Sequence, residues 1–318
     1  MLKLVILIIY FAVLIGIGLY CRKHATDVNG FVLGGRSVGP WLTAFAYGTS
    51  YFSAVVFVGY AGQFGWKYGI AATWAGIGNA IIGSLLAWVI LGRRTRIMSQ
   101  HLDSATMPQY FGKRFGSNPL KIGASVIIFI FLIPYTASLY NGLSRLFGMA
   151  FNIDYSVCII IMATLTAIYV IAGGYMATAI NDFIQGIIML FGIVAVIAAV
   201  IHSKGGFMSA LQGLANVSDP AVSDTPGIFA SFFGPDPFNL LCVVILTSLG
   251  TWGLPQMVQK FYAIDNEASI QKGTVISTIF ALIVSGGCYF LGGFGRLFSD
   301  QILSLIHISE PTRHAQIS

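Results

Sequence analysis

Apolar residues fall in long blocks along this chain, with short polar segments between them. Eight blocks stand out: Leu4–Tyr20, Trp41–Gln63, Gly69–Leu91, Ile122–Phe147, Ser156–Ala172, Ala179–Ile201, Phe238–Leu254 and Thr274–Leu297. Each is near the ~17–25 residues that a helix needs to cross a bilayer. Polar positions interrupt two of them. The stretch 40–65 reads PWLTAFAYGTSYFSAVVFVGYAGQFG, and no charge falls between Arg36 and Lys67. Yet Gly48, Thr49, Ser50, Tyr51 and Ser53 cluster at its middle. Gly is a poor helix former, and Ser and Thr hydroxyls compete for backbone groups. Free backbone groups at that depth are tolerated only where protein buries them or they line a wet cavity. Two readings follow. One is a broken helix that offers carbonyls and hydroxyls to an ion and a solute. The other is a packed helix whose small residues admit neighbours.

The seventh block reads LLCVVILTSLGTWGLPQMVQKF and repeats the signal. Gly250 and Gly253 flank Trp252, and Pro255 follows. Together they weaken the helix, while Ser248, Thr251 and Gln256 add polar groups. Two Gly-interrupted crossings, five blocks apart, are what an inverted-repeat transporter requires, though Gly is common in membrane helices and the pairing can also arise by chance. In the third block Ala72, Gly76, Ala80 and Ser84 recur every four residues, a ridge for close helix contact. Pro134 is expected to kink the fourth. The segment from Gly92 to Lys121 is expected to hold a short surface helix. The segment from His202 to Pro237 is expected to form an irregular cover.

Composition agrees with the blocks. The 318 residues are 56% hydrophobic and 9% charged, with mean hydropathy +0.82, against ~25% charged in soluble domains. The predicted class is an all-α polytopic membrane protein. The net charge of +6 does not indicate nucleic acid, because it follows topology. With the N-terminus outside, Arg22, Lys23, Arg36, Arg93, Arg94, Arg96, Lys113, Arg114, Lys121, Lys260 and Lys272 fall in inner loops. These are most of the 17 Lys and Arg, as the positive-inside rule requires. The four cysteines show no metal or redox spacing and are expected to be buried apolar residues. The isolated histidines give no metal site. The first block lacks a basic region before it and a cleavage site, so it is expected to be a retained crossing.

Asp182 is the acidic residue at membrane depth, opening the sixth block in GGYMATAINDFIQG. A carboxylate there costs at least ~2.5 kcal/mol on insertion scales and by default marks a cation path. The alternative is a helix-start Asp that caps free N–H groups.

FVLGGRSVGP and YVIAGGYMATAINDFIQG (Tyr169–Gly186) resemble the sodium:solute symporter family, which includes proline, pantothenate and sugar symporters. Tyr175 departs from the Leu, Met or Phe usual there. The resemblance implies a five-plus-five inverted-repeat fold behind one extra N-terminal helix, with about eight crossings present. By position it implies that Thr49 and Phe52 give backbone carbonyls to sodium and that Asp182 takes part in sodium coupling. It implies that Tyr51 and Ser53 border the solute, with Ser248, Thr251 and Trp252 facing them. Tyr51 stands where other members have Asp or Asn. Family members also use hydroxyls from a ninth helix for the same sodium, and that helix is not in this sequence. The tail QILSLIHISEPTRHAQIS does not resemble the family's continuation, and ISEPTR resembles a translated sequencing adapter. The expectation is a symporter domain over 1–299, a non-native tail over 300–318, and hence a fragment of a longer protein.

The expected activity is sodium-coupled import of a small organic solute by alternating access. The partners are the lipid bilayer, sodium as coupling ion and the solute, with no other cofactor and no nucleic acid. Proline or another amino acid is the first choice. Pantothenate is the second, because YAGQFGWKYG and INDFIQGIIM resemble that branch; a sugar or monocarboxylate is the remaining option. The alternative function is a transporter-like sensor domain ahead of a signalling kinase. A membrane-embedded enzyme would need a paired acid and base, or a metal cluster, at depth.

Overall fold

The computed structural model describes residues 2–53, 55–151 and 153–299. Among these residues the regular structure is helical, apart from two isolated backbone bridges. The helices are α1 (Leu2–Cys21), α2 (Val28–Leu33), α3 (Pro40–Tyr51), α4 (Ala61–Tyr68), α5 (Thr73–Gly78), α6 (Arg93–His101) and α7 (Met107–Phe115). They continue as α8 (Asn118–Phe151), α9 (Tyr155–Ser203), α10 (Phe207–Ala215), α11 (Pro237–Leu249), α12 (Pro255–Ala263) and α13 (Glu267–Gly293). Wider, π-type turns fill Val55–Tyr60, Asn79–Leu86 and Trp88–Gly92. The segment 300–318, expected to be a non-native tail, lies outside the described residues.

Among the described residues, four segments are long and apolar enough to cross a bilayer: Ala61–His101, Asn118–Gly148, Tyr155–Ser203 and Glu267–Gly293, with shorter apolar helices at Val5–Cys21 and Pro237–Leu249. α9 has 49 residues, about twice what one crossing needs. It bends at Gly174, whose φ of 57° and ψ of −149° suit only glycine. The fifth and sixth blocks are thus the two arms of α9. α8 exposes Phe129, Phe131 and Ile133 on different sides. A helix that is apolar all round and uncovered fits lipid as its surroundings.

The core forms where α13 lies against α3, α4, α5 and α9. Small residues bring the backbones together. A Cβ on Gly65 would stand 2.0 Å from the Gly292 carbonyl carbon, and one on Gly76 would stand 2.6 Å from Gly286 Cα. The Ser84 and Ser277 hydroxyls meet at 2.9 Å. The ridge of Ala72, Gly76, Ala80 and Ser84 therefore packs on α13. Gly65→Val is expected to destabilise the fold by about 3 kcal/mol, the upper end for overpacking. Thermal unfolding followed by size-exclusion fluorescence measures this; an unchanged midpoint would contradict the packing.

Some expectations need correction. The segment after Gly92 holds two helices, α6 and α7, and α6 continues the turns of the third block. Cys21, Cys158 and Cys288 are buried, but Cys242 is exposed. The cover between α9 and α11 does contain one helix, α10, and a short turn at Ile228–Ala230. It is pinned by Arg296, which donates to Asp219 at 2.9 Å and lies 3.8 Å from the centroid of the Phe229 ring.

Candidate functional site

α3 and α11 both stop inside the bundle. α3 is started by Pro40 at its first position, where a missing N–H matters least. It closes when the Phe52 N–H donates to the Gly48 carbonyl at 2.8 Å. Phe52 then leaves helical geometry at φ −96° and ψ 61°. The last carbonyls of a helix lack partners within it, and Thr49 lies in that last turn. The break thus falls at Phe52–Ser53, at the C-terminal end of the polar cluster. Gly48 serves a different purpose: a Cβ there would stand 2.3 Å from the Phe280 ring. α11 stops at Leu249, irregular turns span 250–253, Leu254 is extended, and Pro255 starts α12. Both interruptions predicted from composition are present.

Between the two breaks lies a hollow of about 360 Å³. Tyr51, Ser53 and Thr251 line it, as do Ser50, Asn79 and Tyr289, and no lining residue carries a formal charge. Asn79 organises one wall. Its Oδ1 accepts from Tyr51 at 3.2 Å, Thr247 at 3.0 Å and Ser248 at 3.1 Å. Its amide donates to the Ser285 hydroxyl at 3.4 Å. The single Tyr51 hydroxyl proton is shared with the Thr247 carbonyl, which lies closer at 2.9 Å. Asn79 joins the first interrupted segment to the second and to α13. The sequence carried one signal for it: it is the single amide in the block Gly69–Leu91.

The remaining expected solute residues sit differently. Ser248 is fully buried and stands behind Asn79 rather than at the surface of the hollow. Trp252 donates its indole N–H to the Ile82 carbonyl at 3.1 Å and does not line the hollow. That bond seats the irregular turn on the third block.

Asp182 lies eight residues past the Gly174 bend, well inside the second arm of α9. Capping of a helix start does not account for it. Its carboxylate is 22% exposed and lies 3.6 Å from the Lys260 Nζ. The Thr49 hydroxyl is also beside it. The structure thus brings Thr49 and Asp182 together, with Phe52 at the helix end nearby in sequence. Lys260 overturns an expectation: it is no loop residue but is 5% exposed on α12. Its ammonium also lies 5.0 Å from the Tyr175 ring centroid. The amides of Asn181 and Gln256 are buried without hydrogen-bond partners among the described residues, a costly state for a polar group. No cluster of His, Cys, Asp and Glu fit for a transition metal occurs among the described residues.

One end of the bundle is closed. Val38 bridges Ile264, with Val38 N–H donating to Ala263 at 3.3 Å and Asp265 N–H to Val38 at 3.1 Å. Arg36 donates to the carbonyls of Ser104 at 2.9 Å, Ser99 at 3.4 Å and Tyr262 at 3.5 Å. The segments flanking both interrupted helices are thereby joined at the end rich in arginine.

A model of the sodium:solute symporter family matches residues 31–303. The osmoregulated proline transporter OpuE of Bacillus subtilis (strain 168) is 30% identical over 296 residues, covering 92% of this chain and 58% of that protein. A sodium/proline symporter of Staphylococcus aureus (strain JH9) is 31% identical over 282 residues, covering 84% of this chain and 51% of its own length. The chain thus spans little more than half of these relatives. A solved Na+-coupled sialic acid symporter, in a substrate-bound outward-open state, matches with TM-score 0.72 at 17% identity, over 96% of this chain and 62% of that one. That likeness is one of fold. The family consists of transporters rather than enzymes, and its hallmarks of apolar, multi-pass helices are those seen here. With the family match running from Phe31 through α13, the chain belongs to the sodium:solute symporter family.

Proposed function

We propose that the protein is a sodium-coupled symporter that imports a small organic solute by alternating access. The observation that carries this reading is the meeting of two interrupted helices at a hydroxyl-lined hollow, with the Asp182 carboxylate beside Thr49 in the last turn of the first of them. Sodium, a hard cation, takes oxygen ligands. The Asp182 carboxylate, the Thr49 and Phe52 carbonyls and the Thr49 hydroxyl offer them. The solute occupies the hollow against Tyr51, Ser53 and Thr251, with Ser248 and Trp252 supporting the wall. The arrangement fits a five-plus-five repeat in which α3 to α9 form the first repeat and α11 opens the second. α1 is then the extra helix, its N-terminus outside and the arginine-rich end inside. The 1–299 region acts as the transport domain in a cell membrane.

Proline is the first candidate solute, since OpuE and the sodium/proline symporter carry it in their names. The uncharged lining suits a zwitterion of zero net charge better than an anion. Pantothenate is second. Uptake of radiolabelled proline and pantothenate into proteoliposomes, with and without an inward sodium gradient, tests this. Sodium-driven accumulation of one of them is expected. Equal uptake under both conditions would rule out sodium symport.

A further inference from the structure

Lys260 is the one charged side chain on α12. The side chains facing its ammonium, Asp182 and Tyr175, both belong to α9. A single buried cation therefore links the second interrupted segment to α9. The link is loose. An ammonium donating to a carboxylate normally sits ~2.7–2.9 Å away, whereas here the separation is 3.6 Å. The pair attracts without being locked.

The same carboxylate has Thr49 beside it. Sodium and the Lys260 ammonium thus share one negative charge. Two cations about 4 Å apart repel by ~4 kcal/mol at an effective dielectric constant near 20. That repulsion offsets much of what the carboxylate offers a second cation, so the two cations compete for it.

We propose that Lys260 is a tethered counter-cation that holds Asp182 while sodium is away, and that sodium displaces its ammonium when it binds. This rests on the sodium reading given above. The closure at the arginine-rich end lies a few residues further on: Tyr262 accepts from Arg36, and Ala263 and Asp265 pair with Val38. Sodium binding therefore changes what holds the helix that carries the closure.

The test is equilibrium binding of radioactive sodium to the purified chain in nanodiscs, without solute, on variants shown to be monodisperse. Lys260→Met removes the competing charge and keeps the apolar stem. Its sodium affinity is expected to rise about tenfold, within the usual span for coupled sites. Lys260→Arg keeps the charge and is expected to stay near the unaltered protein. Unchanged or weaker binding by Lys260→Met would overturn the proposal. Asp182→Asn separates the two ideas. If it binds sodium normally, the sodium reading itself fails. If it loses sodium while Lys260→Met gains nothing, only the tether fails. A measurement on the unaltered chain stands apart from folding: amine labelling of Lys260, quantified by mass spectrometry. Labelling is expected to be faster in sodium than in choline, and equal rates would count against displacement.

Discussion

Asp182→Asn is expected to weaken sodium binding about 30-fold or more, the equivalent of ~2 kcal/mol for truncating one partner of a buried charge pair. The substitution keeps the shape of the side chain and removes its charge. Two effects add. Sodium loses an anionic ligand, and the ammonium 3.6 Å away is left to repel it. The uncompensated Lys260 also destabilises the fold, by about 3 kcal/mol if the pair behaves like other buried ones. The double variant Asp182→Asn, Lys260→Met separates these effects. It is expected to recover the thermal midpoint but not sodium binding. Radioactive sodium binding and unfolding temperature, measured on both variants, check this. Normal sodium affinity in Asp182→Asn would remove the carboxylate from the mechanism.

Asn79→Leu is expected to damage the solute side instead. The leucine has similar size but accepts no hydrogen bond. Tyr51 keeps its bond to Thr247 and Thr247 its bond to Val243. The Ser248 hydroxyl, fully buried, loses its acceptor. An abandoned buried hydroxyl costs about 1–3 kcal/mol. The wall responds by rearranging Tyr51, which faces the hollow. Solute affinity is expected to fall about 30-fold, equivalent to ~2 kcal/mol, while sodium affinity without solute stays as it was. That split distinguishes Asn79 from Asp182. Solute-free sodium binding and solute binding, measured side by side, give the answer. A parallel loss of both would show that Asn79 supports the whole core rather than the hollow.

Local composition announced the two interruptions, because Gly, Pro and clustered hydroxyls weaken a helix wherever they stand. The first break falls at the end of the cluster that announced it, at Phe52–Ser53. Gly48 looked like the weak point, yet it is helical and makes room for Phe280, a neighbour that no local pattern reveals. Asn79 was passed over for a related reason. Its meaning comes from Thr247 and Ser248, 168 and 169 positions away. Lys260 was counted as a topology marker, because charge counting near a block end says nothing about depth. A buried lysine and a loop lysine look alike until α12 is seen to start at Pro255 and run back into the bundle. Asp182 was legible as an intramembrane charge, but its partner was not. Resemblance identified the family from short motifs, since those motifs sit at the bends, such as Gly174, that the backbone cannot change.

In the proposed function, one cation and one solute share the space between the two broken helices. Linkage then demands reciprocity: each must raise the affinity of the other by the same factor. The direct measurement is proline affinity with and without saturating sodium, paired with sodium affinity with and without saturating proline, on one preparation in nanodiscs. Two equal gains of about fivefold or more, the lower end for coupled sites, are expected. Proline binding that is indifferent to sodium, with sodium binding indifferent to proline, would contradict it.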